Sequence, residues 1–163
     1  MKLSTKGRYA VMAMTDLAMS TSGRPVALAD IAKRQEISLS YLEQLFAKLR
    51  RGGLVKSVRG PGGGYLLARG SDATAISDII LAVDEPIRAT RCTPGAPMGC
   101  TGISSRCMTH GLWEALGKNI QNFLASVTLA DVCAARVPGQ ESAEHCPAHQ
   151  TVANFGLSTS AAE

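Results

Sequence analysis

Three cysteines and a histidine, Cys92, Cys100, Cys107 and His110, fall within nineteen residues of this 163-residue chain. Thiolate and imidazole are soft or borderline donors, so the set suits zinc or an iron–sulfur cluster rather than magnesium or calcium. The intervening glycines and prolines block regular structure while letting the backbone curl around a ligand. Cys107 and His110 stand three apart at the expected start of a helix, hence on one face of it. Zinc sites usually pair ligands as C-x2-C, whereas here seven and then six residues separate the cysteines, which favours a cluster. Three cysteines with one histidine is nevertheless an unusual cluster set, because most clusters are all-cysteine and the histidine-containing exception places two histidines on one iron. Inert thiols remain an open alternative. A Cys107–His110 nucleophile pair lacks an orienting acid or an oxyanion motif, so no enzyme is expected.

The elements around this loop must position it. Five cysteines, an odd number and clustered, point to a reducing cytosol and to ligand use rather than disulfides. No run of eighteen apolar residues and no secretory n- and h-region appear, so neither membrane insertion nor export is expected. Residues 1–70 carry twelve basic against four acidic side chains, net +8, and residues 71–163 carry five against nine, net −4. A basic head on an acidic body implies a polyanionic partner, most simply nucleic acid.

Taken in order, Ser4 or Thr5 is a candidate cap for a first helix with Tyr9, Ala13 and Leu17 at helical spacing, stopped by Ser20 to Pro25. A short helix over 29–35 follows, with Leu28, Ile31 and Ala32 apolar. A second begins at Ser38 or Ser40 and runs to Arg51 with a buried stripe of Leu42, Leu45, Phe46 and Leu49. Ser40 with Glu43 matches the S-x-x-E capping box, and Ser38 is an equal candidate. Two short helices joined tightly, the second opening in serines, make a helix-turn-helix.

Gly52-Gly53 ends that helix, and two strands, 54–59 and 65–69, flank Gly60-Pro-Gly-Gly-Gly64, the hairpin of a wing. Neither nucleotide-binding glycine pattern matches this tip. A helix is expected from Asp72 through Ile76, Ile79, Ile80 and Val83, closed by Asp84-Glu85-Pro86. Another runs from Leu112 to Val127 with Leu112, Leu116, Ile120, Phe123 and Val127 in one stripe, suited to pairing with a second copy. From about Ala134 the composition turns to that of a flexible tail, in which His145, Cys146 and His149, with Cys133 upstream, are adventitious metal candidates.

Four segments carry a family resemblance: Leu3-Ser-Thr-Lys-Gly-Arg-Tyr-Ala10, Ile37-Ser-Leu-Ser-Tyr-Leu-Glu-Gln-Leu-Phe46, Ser57-Val-Arg-Gly-Pro-Gly-Gly-Gly-Tyr-Leu-Leu67 and the loop ending Cys107-Met-Thr-His110. In order and spacing, from residue 2 to about 133, they resemble the IscR family of iron–sulfur cluster regulators. The resemblance implies a homodimeric winged-helix transcription factor in the bacterial cytosol, associated with the nucleoid. Its [2Fe–2S] cluster would be held by Cys92, Cys100, Cys107 and His110 and supplied by the iron–sulfur assembly machinery. Loaded protein of such a family represses the cluster-assembly genes, while apo-protein binds a second promoter class and can activate there. By position, Ser40, Glu43 and Gln44 would face bases of double-stranded promoter DNA, Ser38 and Tyr41 would lie near phosphates, and Arg59, with Gly60 and Pro61 at the wing tip, would enter the minor groove. General physics agrees: a helix start suits phosphate, a carboxylate accepts from cytosine N4, and arginine suits a narrow minor groove.

The loop is longer than in the best-known members, and related iron-responsive regulators carry [4Fe–4S] on three cysteines, so [4Fe–4S] and zinc stay open beside [2Fe–2S]. The expected architecture is mostly α with a small β wing. A winged helix-turn-helix head spans 1–70, a connecting helix 71–91, a cluster-binding loop 92–110, a long dimerisation helix 111–133 and a flexible tail 134–163.

Overall fold

A computed structural model describes residues 4–20, 23–85 and 106–139 of the chain. Cys92 and Cys100 lie outside these residues, as do His145, Cys146, His149 and the tail beyond Gly139.

Six helices and one hairpin follow in sequence among the described residues: α1 (Thr5–Ser20), α2 (Leu28–Gln35), α3 (Leu39–Arg51), β1 (Val55–Val58), β2 (Gly64–Leu67), α4 (Ile76–Ala82), α5 (His110–Ser126) and α6 (Leu129–Cys133). The core joins Ala13, Met14 and Leu17 of α1, Ile31 of α2, the α3 stripe of Leu42, Leu45, Phe46 and Leu49, and Ile79 and Ile80 of α4. That one-faced burial at helical spacing is what drives α2 and α3 to fold as an angled pair. Phe46 is fully buried; its truncation to alanine would cost about 3–5 kcal/mol.

Between α2 and α3 the chain turns at Glu36, in the left-handed region at φ 53°. The Ile37 amide reaches back to the Ala32 carbonyl at 3.1 Å, and the buried Ile37 side chain closes the turn. α3 begins at Leu39 with Ser38 in the capping position, so Ser40 lies inside the first turn and the Ser40–Glu43 capping box does not form. Ser38 itself makes no side-chain cap bond.

The hairpin pairs β1 and β2 antiparallel, Val55 opposite Leu67 and Val58 opposite Gly64. Val26 adds a third edge by exchanging hydrogen bonds with Tyr65, 2.8 and 3.0 Å. The glycines at the tip are structural: a Cβ on Gly64 would fall on the Val26 carbonyl, and one on Gly63 on the Val58 carbonyl.

Three expectations need correction. The helix expected from Asp72 starts only at Ile76, because Ala75 instead forms a bridge with Thr128. The helix expected over 111–133 is two helices. α5 stops at Val127, where the chain bonds to the segment before α4, with the Ile76 amide on the Val127 carbonyl at 2.9 Å and the Leu129 amide on the Thr74 carbonyl at 2.8 Å. Thr128 and Asp131 then form a capping box that restarts the helix as α6, which packs on α1. Cys107 lies in a turn before α5 rather than on the helix.

Candidate DNA interface and metal-ligand turn

α3 buries one face in the core and turns the other outward. Ser40, Glu43 and Gln44, at positions i, i+3 and i+4, share that outer face, and Ser38 is exposed at its start. The interval is what a recognition helix needs to bring three polar side chains to base edges together. Tyr41 differs: it is half-buried, edge-on to Tyr9 of α1 with ring centroids 6.0 Å apart. Its ring therefore braces α3 against α1. Leu39, 42% exposed in the first turn, is an apolar side chain beside the polar face that sequence reasoning passed over.

Arg59, Gly60 and Pro61 sit exposed at the tip of the wing. The tip turns through positive φ at Gly60 (103°) and Gly62 (74°), and the Gly63 amide closes it on the Gly60 carbonyl at 2.9 Å. Glycine takes these conformations without strain, so the glycine run makes the tight turn at the end of the hairpin beside Arg59. Lys56 and Arg50 add exposed cations on β1 and α3.

Of the four candidate ligands, the described residues contain Cys107 and His110. The turn Cys107-Met-Thr-His110 brings them onto one bend, with the His110 amide on the Cys107 carbonyl at 3.0 Å. Cys107 forms no disulfide and is partly exposed. The Thr109 hydroxyl lies 3.7 Å from its sulfur and accepts from the Trp113 indole at 3.1 Å, which ties the bend to α5. The His110 imidazole Nε2 is 3.5 Å from a Glu114 carboxylate oxygen, one turn along the same helix. A carboxylate behind an imidazole is a common way of orienting a ligating histidine. A thiol and an imidazole on one bend are donors of the kind a soft metal or cluster takes; among the described residues no group of three candidate ligands forms.

Cys133 stands apart. Its sulfur faces the Thr15 carbonyl at 4.0 Å, and burial pushes its thiol up from the ordinary range. It behaves as a small packed side chain against α1.

Two groups that sequence reasoning missed hold the head together. Asp16, nearly buried on α1, accepts from the Arg34 guanidinium, from the Gln35 amide at 2.7 Å and from the Ser20 hydroxyl at 3.3 Å. Burial alone would raise its carboxyl, and these bonds outweigh it and hold the group below the usual range. Glu85, just beyond α4, accepts from the Ser4 amide, the Ser4 hydroxyl and the Gly7 amide at 2.5, 2.7 and 2.6 Å. No local signal marks either, because apart from Ser20 the partners are eighteen or more residues away.

Comparison with known proteins agrees with this layout. Residues 3–135 match the Rrf2 family, described as iron-dependent transcriptional regulators. The chain is 55% identical over 132 residues to the HTH-type transcriptional regulator IscR of Yersinia pseudotuberculosis, covering 81% of this chain and 79% of that one. IscR of Erwinia tasmaniensis matches equally, over 78% of its length. Among solved structures, T. potens IscR superposes with a TM-score of 0.67 at 40% identity, covering 88% of this chain and 93% of that one. CymR, the global cysteine regulator of B. subtilis, superposes at 0.69 with 35% identity over 83% and 98%. With a winged helix-turn-helix head of this geometry and a match spanning most of its length, the chain belongs to the Rrf2 family of iron-dependent transcriptional regulators and is a DNA-binding regulator of the IscR type.

Proposed function

We propose that this regulator reads promoters according to whether an iron–sulfur cluster, [2Fe–2S] in the first instance, is bound by Cys92, Cys100, Cys107 and His110. The observation that carries the reading is the Cys107–His110 bend, which offers a free thiol and a carboxylate-backed imidazole on one turn at the head of α5. A bound cluster supplies a state that depends on iron, sulfide and oxidants. The chain's own residues do the rest. The bend fixes two donors to the start of α5, α3 presents Ser40, Glu43 and Gln44 to the major groove, Ser38 and Tyr41 lie beside the phosphates, and the wing carries Arg59, Gly60 and Pro61 to the minor groove. The loaded form represses genes of cluster assembly, and the apo form occupies a second class of promoter, in the cytosol on the nucleoid. Two copies act together, with α5 of each forming the shared face and the cluster-assembly machinery as the cluster source.

The test is a visible spectrum of protein purified without oxygen, with iron, sulfide and zinc assayed on the same sample. Broad absorption between roughly 400 and 600 nm with matched iron and sulfide, lost in Cys107→Ala and His110→Ala, is the expected result. A colourless protein with stoichiometric zinc would make the bend a structural clasp instead.

A further inference from the structure

α1 opens with Ser4, and the Ser4 hydroxyl accepts from the Lys6 amide at 3.2 Å, as an N-cap does. A capping box would place Glu or Gln three residues later to accept from the cap's own amide. This chain has Gly7 there, and Glu85 supplies the missing carboxylate from the far end of α4. It takes the Ser4 amide and hydroxyl and the Gly7 amide at the positive end of the α1 dipole.

The neighbouring residue holds α3. Asp84 turns the chain out of α4 in the left-handed region (φ 57°), with the Asp84 amide on the Leu81 carbonyl and the Glu85 amide on the Ile80 carbonyl. Its carboxylate pairs with Lys48 of α3 at 2.8 Å. Beside it α4 and α3 abut so closely that a Cβ on Gly52 would stand 3.0 Å from the Ala82 methyl. Two adjacent carboxylates thus grip α1 and α3, and the first candidate ligand, Cys92, follows a few residues on in the sequence. α1 in turn reaches the reading end of α3 through Tyr9 on Tyr41.

We propose that Asp84 and Glu85 are positioning residues for DNA reading, the joint through which occupancy of the candidate ligand set Cys92, Cys100, Cys107 and His110 sets the placement of α3 against α1. This rests on the cluster reading above. A pull on residue 85 uncaps α1, and a pull on residue 84 draws on Lys48. Either motion changes how α3 meets DNA without touching a base-facing side chain.

The experiment uses full-length protein, prepared anaerobically in iron–sulfide-reconstituted and metal-free forms, and a duplex selected by the reconstituted form from a randomised pool. The wild-type forms should differ in affinity for that duplex by a factor in the ordinary range of coupling, about 5–150. Glu85→Gln and Asp84→Asn should keep the chromophore while this ratio falls toward one, and Asp84→Lys combined with Lys48→Glu should restore it. Variants that keep both the chromophore and the wild-type ratio overturn the proposal. If reconstituted wild type stays colourless, the cluster reading has failed, and amide exchange in metal-free protein decides the joint. Glu85→Gln should then speed exchange at Lys6 and Gly7 and also over residues 39–44, whereas a change confined to α1 overturns the coupling.

Discussion

Tyr65 of the wing meets Phe46 of the recognition helix edge-on, with ring centroids 4.9 Å apart and planes at 69°. The same tyrosine exchanges both backbone hydrogen bonds with Val26, so one residue ties the wing to α3 and to the segment entering α2. Tyr65→Leu keeps most of the apolar contact and should lose only the ring-pair contribution, about 0.5–1.5 kcal/mol. Tyr65→Ala should cost about 2 kcal/mol or more, lowering Tm by roughly 4–8 °C in a chain of this size. A Tyr65→Leu melting temperature equal to that of wild type would show that the ring contact contributes nothing beyond area.

Glycines on this hairpin should respond differently to the same methyl group. Gly62 has positive φ but open space around it, so Gly62→Ala should cost about 1 kcal/mol and leave DNA affinity nearly intact. At Gly64 the methyl would fall on the Val26 carbonyl, so Gly64→Ala must displace the Val26 edge and with it the wing. Its binding curve on any duplex should weaken by tenfold or more, in line with about 1.4 kcal/mol. Similar affinities for the two variants would mean that the Val26 edge is dispensable.

Asp16 makes stability pH-dependent in a defined direction. Its folded carboxyl titrates below the unfolded value of about 3.9. Its stabilisation is therefore complete above that value and is lost as pH falls through the lower, folded one. Arg34 is 43% exposed on its side chain, so solvent screening trims the pair, and a contribution of about 1–3 kcal/mol is expected. Denaturant midpoints for wild type and Asp16→Asn should differ by this amount at pH 7 and converge as pH falls through the lowered, folded-state titration. A gap that is constant with pH would remove the carboxylate from the explanation.

Glu43 is exposed on the outer face of α3, on the same side as Ser40 and Gln44. A carboxylate opposite cytosine N4 has a donor; opposite other bases it meets the negative field of DNA without one. Glu43→Ala should therefore relax selectivity, by about 1–3 kcal/mol at one base position, and let metal-free protein bind both promoter classes. Unchanged selectivity of metal-free Glu43→Ala in a competition binding assay would discard the idea.

The head was legible because its signals are local. The Leu42, Leu45, Phe46 and Leu49 stripe, the Gly52-Gly53 stop and the glycine tip each declare an element within a few residues, and all three stand in the structure. Ser38 and Ser40 offer the same cap chemistry, so the sequence left both open, and the structure puts Ser38 in the capping position. What could not be read were long-range polar pairings. Glu85 on Ser4 spans 81 residues and Arg34 on Asp16 spans 18, and neither follows from spacing. The separate helix after Val127 was equally hidden, since the pairing of Val127 and Leu129 with residues 74–76 that parts α5 from α6 is long-range. Of the ligand set, the Cys107–His110 bend is described, while Cys92 and Cys100 lie outside the described residues.

The exposed stripe on α5 gives the last prediction. α5 buries none of its seventeen residues, and Leu112, Trp113, Leu116 and Phe123 remain 39–62% exposed. Leu112, Leu116, Ile120 and Phe123 follow the interval of one helix face, and a second copy offers the same face in return, as a two-fold interface requires. Wild-type protein should sediment at twice its 17.1 kDa. Leu116→Asp places a charge at the centre of the stripe and should give a monomer that binds a single half-site. Its head should still melt cooperatively, because no core residue is touched. A wild-type species of 17.1 kDa at micromolar concentration would assign the stripe to some other partner and would leave each head to bind DNA alone.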